Sequence, residues 1–125
     1  MEHKRIESFK DLFVWQKGIE LINEIYRLIK FFLKEELYGL TSQIRRAAVS
    51  IPANIAEGWG RGTTKNYLQF LEISRGSLFE LNTLIIIAYH QDYISKVHTD
   101  EIENKINEMG KMLNALITKL DSLNK

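Results

Sequence analysis

The stretch TDEIENKINEMGKMLNALITKLDSLNK, residues 99–125, decides the fold class. Its apolar residues Ile102, Ile106, Met109, Leu113, Leu116, Leu120 and Leu123 step alternately by four and three. That spacing lines one face of an α-helix and fits no strand. Thr99 is placed to cap the helix, and Asp100, Glu101 and Glu103 complement the positive end of its dipole. A helix of about 25 residues is about 37 Å long and needs partners of similar length to cover its apolar face.

The rest of the chain supplies three such partners. The first helix is expected from about residue 11 to about residue 32. Leu12, Trp15, Ile19, Ile22, Tyr26, Ile29 and Leu33 form its seam, with Val14, Leu21, Ile25, Leu28 and Phe32 on a neighbouring face. The second runs from about residue 40 to residue 57 or 59, with Thr41 or Ser42 as cap and Ile44, Ala48, Ile51, Ile55 and Trp59 on one face. Pro52 inside it removes a backbone donor and crowds the Ala48 carbonyl, which predicts a kink, and Gly58 and Gly60 are expected to end it. The third starts after Thr63 or Thr64 and ends near residue 90. Its seam is Tyr67, Phe70 or Leu71, Ser74, Leu78, Leu81, Ile85 and Ala88. Gly76 falls mid-helix, where it costs up to ~1 kcal/mol relative to Ala, and predicts a close helix crossing. Four long helices with short loops predict an all-α, antiparallel up-down-up-down four-helix bundle over residues 11–125. Residues 1–10 are expected to be a flexible tail that Phe9 docks.

Composition bounds the chemistry. The chain has 125 residues, which suits one domain. It has no cysteine, so disulfides, thiol nucleophiles and thiolate metal sites are excluded. Its net charge of +1 announces no strongly basic nucleic-acid binder, although a local patch is compatible with it. Neither a membrane-spanning run nor a signal peptide is evident, and the expected location is the cytoplasm. His3, His90 and His98 lack metal-ligand spacing, and Glu20, Glu24, Glu57, Glu72 and Glu80 mostly lie off the apolar seams. Ser50 and Ser74 have no base beside them in sequence. The expectation is no catalytic residue, no metal and no cofactor.

Two features point elsewhere. Between residues 41 and 75, Arg45, Arg46, Arg61, Lys65 and Arg75 face only Glu57 and Glu72. Guanidinium groups suit phosphate, and the segment GWGRGTTK, residues 58–65, places Arg61 beside a helix start that favours anions. The competing reading of these cations is salt bridging. Second, Val49, Pro52, Ala53 and Ala56 lie off the main seam of the second helix, and the first helix has its second stripe. One apolar stripe per helix closes a lone bundle, so the excess suggests an interface between copies.

The stretches DLFVWQKGIELINEIY (residues 11–26), YGLTSQIRRAAVSIPANIAEGWGR (38–61) and YLQFLEISRGSLFEL (67–81) together resemble the bacterial four-helix-bundle family of 23S ribosomal-RNA intervening-sequence proteins. That family is similar to the accessory proteins of diversity-generating retroelements. The likeness covers about residues 8–95, with SQIRRAAVSIPANIAEG, residues 42–58, as its most specific part. Two departures are Leu33, where the pattern usually has Pro, and Ser74, where it usually has Ala. The resemblance implies a non-enzymatic ring of five copies. It also implies contact with nucleic acid and a reverse transcriptase through basic surfaces, here Arg45, Arg46, Arg61, Lys65 and Arg75. Two readings of function follow: an oligomer that binds RNA or DNA, or a protein-interaction scaffold that binds neither.

Overall fold

The computed structural model describes residues 5–124. Four helices follow one another: α1 (Phe13–Ile29), α2 (Leu40–Gly60), α3 (Thr64–His90) and α4 (Lys96–Leu123). Short 3₁₀ turns cover Phe9–Asp11 and Lys34–Glu36, and no strand occurs among the described residues. None of the helices is long and apolar enough to cross a membrane.

The helix ends show where local chemistry wins. Thr63 caps α3 as expected, its Oγ1 accepting from the Asn66 amide at 3.2 Å. The other two expected caps are corrected. Ser95, not Thr99, caps α4: its Oγ accepts from the His98 amide at 3.1 Å, and Thr99 is buried one turn inside. Neither Thr41 nor Ser42 caps α2. Gly39 holds the cap position, and the Glu36 carboxylate reaches back to the Leu40 amide at 3.3 Å. Before α1, Ser8 and Asp11 form a capping box around Phe9–Asp11, and the Phe9 ring meets Trp15 edge-on at 5.3 Å. Residues 8–10 are therefore held in a turn rather than continuing the tail, and Phe9 docks as expected. His3 lies outside the described residues.

Each helix packs on the next, and α4 returns to α1. The contacts give the direction of each pair. Gly18 and Tyr26 of α1 meet Pro52 and Arg45 of α2, so one number rises as the other falls. The same inversion relates Ser50 and Gly58 of α2 to Ser77 and Phe70 of α3. It also relates Arg75 and Leu78 of α3 to Asn114 and Gly110 of α4, and Gly18 and Glu24 of α1 to Met109 and Lys105 of α4. The bundle is antiparallel throughout. Ile25, Ile44, Ile51, Ile55, Leu71, Leu81, Ile85 and Leu113 fill its axis, each fully buried. Burying one such side chain contributes roughly 1.5–3 kcal/mol.

Three expectations about faces change. On α1 the buried residues are Val14, Gly18, Leu21, Ile25 and Ile29, while Leu12, Trp15 and Ile22 pack at the edge of the core. Most of both stripes thus serves this chain's own core, while Tyr26 and Leu33 of the first stripe, and Phe13 beside them, are exposed. On α4 burial passes from Leu113 to Ile117, and Leu123 is exposed. A helix of 3.6 residues per turn drifts off a strict seven-residue repeat. Finally, Gly76 is at no crossing: nothing lies within 4 Å of where its Cβ would be. The close approaches are at Gly18 against Pro52 and at Gly58 against Phe70. Gly58 is therefore a contact inside α2, which runs unbroken through Pro52 to Gly60, and Gly62 (φ 83°) makes the turn.

Candidate nucleic-acid interface

The five basic candidates do not converge on one patch. Arg45 leaves α2 toward α1 and is half-buried, its guanidinium 5.8 Å from the centroid of the Tyr26 ring. The Nε of Arg45 is buried without a hydrogen-bond partner. Arg75 leaves α3 on the other side, toward α4, where it donates to Asn114 Oδ1 at 3.0 Å. Arg61 and Lys65 flank the α2–α3 turn. Arg45 in α2 and Arg61 at its C-cap are sixteen residues apart, about 24 Å at the rise of an α-helix.

Their electrostatic states differ as well. Arg61 is held by Glu57 at 2.8 Å and lies 5.0 Å from the Phe70 ring centroid. Arg46 and Lys65 are exposed, with no ion pair among the described residues. Arg45 has no carboxylate partner either. Among the described residues only Arg61 of the five has a counter-charge; Arg75 meets a neutral amide, and Arg45, Arg46 and Lys65 have neither an ion pair nor a side-chain hydrogen bond. The segment of residues 58–65 is a poorer phosphate cradle than its spelling suggests. Glu57 occupies Arg61, and Thr63 occupies one amide at the start of α3.

The expected interface residues divide. Val49 is 44% exposed, Ala53 is exposed and Ala56 half-buried, so these three remain open to a second copy. Pro52 does not. It is buried against Gly18, because a glycine on α1 lets the pyrrolidine ring come in close. That burial depends on a residue 34 positions away and has no local signal.

Carboxylates and histidines form no metal cluster among the described residues. Glu20 pairs with Lys17 at 3.2 Å and Glu24 with Lys105, while His90 and His98 are exposed. Between α1 and α4 run two open grooves of 460 and 490 Å³, with Leu21, Met109 and Met112 in one and Leu28, Tyr93 and Ile102 in the other. The Glu24–Lys105 pair stands at both.

No curated protein matches the chain. A solved structure that it resembles is a protein with unknown function from the S23 ribosomal protein family of Bacteroides thetaiotaomicron. The two are 26% identical with a TM-score of 0.77, over 83% of this chain and 97% of that one. The family model described as 23S rRNA-intervening sequence protein matches residues 10–115. That span takes in all of α1, α2 and α3 and most of α4, and it makes the chain a member of the 23S rRNA-intervening sequence protein family.

Proposed function

We propose that the protein acts without catalysis, as a homo-oligomer, a ring of five copies, that binds RNA or DNA through Arg45 and Lys65. The observation that carries this reading is the pairing of unspent charge with unspent apolar surface. Cations lacking an ion pair stand on the same chain as the exposed Val49 and Ala53 and the half-buried Ala56. Contacts of this kind act by displacing counterions from phosphates, largely without regard to sequence. Repetition around an oligomer multiplies them, because the second contact is made at high effective concentration.

A titration of RNA and DNA binding against salt tests the reading. Affinity should fall steeply with salt. Arg45→Glu with Lys65→Glu should weaken binding and flatten the salt dependence by about one unit of slope for each phosphate no longer neutralised. Binding and slope left unchanged by both reversals contradict the proposal. The scaffold reading draws support from Arg61 and Arg75, which are engaged by Glu57 and Asn114. Purified protein that retains no nucleic acid even at low salt favours it.

A further inference from the structure

The outer face of α3 is largely exposed among the described residues. Ile73 is 51% exposed, Phe79 68% exposed, and Ile87 is exposed beyond them. Gly76 lies among these, with open space where a side chain would be. Glycine weakens a helix interior, and no contact within the subunit calls for one here. Glu72 and Glu80, one turn to either side of Gly76, are exposed and have no ion pair among the described residues. The face thus joins apolar surface, a point where another backbone can approach, and two carboxylates without counter-charge.

The outer face of α2 is its complement. Arg46, Val49, Ala53, Ala56 and Gly60 step by three and four along one side of the helix. Arg46 lacks an ion pair, and the side chains beyond Val49 are too small to hold a neighbour away.

We infer that these faces mate between copies: α2 of one copy packs on α3 of a second copy, over Gly76, Ile73 and Phe79, with Arg46 against the second copy's Glu72 and Glu80. The inference rests on the oligomer proposed above and adds which surfaces meet. It also withdraws Arg46 from nucleic-acid contact. Two different patches meet, so the contact is heterologous and propagates from copy to copy instead of stopping at a pair. Pairing α2 with α2 would offer Arg46 only Glu57, which Arg61 already holds at 2.8 Å, and would leave Glu72 and Glu80 without counter-charge.

Charge exchange read by light scattering tests this. Arg46→Glu, and separately Glu72→Arg with Glu80→Arg, should each lower the molar mass to the 14.6 kDa of one chain. The chain carrying all three changes should regain the mass of the unmodified protein. A mixture of the two defective variants should also form species heavier than either, because each keeps one competent face and presents an exchanged one. Circular dichroism checks that the variants stay helical. Gly76→Leu, whose Cβ has no neighbour within 4 Å in its own subunit, is the independent variant and should also dissociate the assembly. An assembled unmodified protein whose variants keep full mass, or whose triple variant stays dissociated, overturns the mating faces alone. An unmodified protein of 14.6 kDa overturns the oligomer and the faces together.

Discussion

A Cβ built on Gly58 would stand 2.6 Å from the Cβ of Phe70, closer than real Cβ contacts allow. This approach lets α2 and α3 pack as a close hairpin. Further along, the Ser74 hydroxyl donates to the Ile51 carbonyl at 2.8 Å, and Ser50 and Ser77 share a hydrogen bond at 2.7 Å. Small residues at three levels hold the two helices whose outer faces carry the proposed interface.

Gly58→Ala should therefore be costly. Phe70 Cβ and the Tyr67 carbonyl are backbone-anchored and cannot swing aside, so the helices must part. Overpacking of this kind costs about 1–3 kcal/mol, read from chemical denaturation. Gly76→Ala makes the opposite case. Open space at that position predicts a gain of up to ~1 kcal/mol in the stability of the single subunit.

Ser74→Ala should cost about 1 kcal/mol. The buried hydroxyl is removed, but the Ile51 carbonyl is left inside a continuous helix. Thermal melts compare it with Ser50→Ala, whose hydroxyl is half-buried and shared with Ser77 and Asn54.

Burial pushes the Tyr67 phenol up to about 12 from its ordinary 10, and its hydroxyl has no hydrogen-bond partner. The folded state thus keeps a proton that the unfolded chain loses above pH 10. This contribution is complete below pH 10 and drains away as pH rises toward 12. Tyr67→Phe should be neutral to stabilising by about 1 kcal/mol near neutral pH, since it removes an unsatisfied buried group. It should also flatten the decline in stability between pH 10 and about pH 12. Denaturation curves across that interval check both.

Much of this was legible in the sequence where the signal is local. The Thr63 cap, the bounds of α2 and α3, and the axis of the bundle follow from periodicity and capping chemistry. The Arg61–Glu57 pair is a four-residue helical spacing that local rules describe. Ser8 and Asp11 also spell a capping box, which the overlap with a charged tail obscures. Other features depend on distant residues. Pro52 is buried because Gly18 lies opposite, and Arg75 is engaged because Asn114 arrives from α4. The Glu36 cap, four residues before Leu40, is local but comes from a separate 3₁₀ turn that the periodicity does not mark. A series of cations read along the chain cannot separate those with a polar partner, Arg61 and Arg75, from those without, and that separation reduces five candidates to three.

Molar mass in solution, measured by light scattering behind a sizing column, tests the central claim most directly. The predicted result is a multiple of 14.6 kDa that Arg46→Glu reduces to one chain. A single subunit of 14.6 kDa for the unmodified protein at every concentration contradicts it.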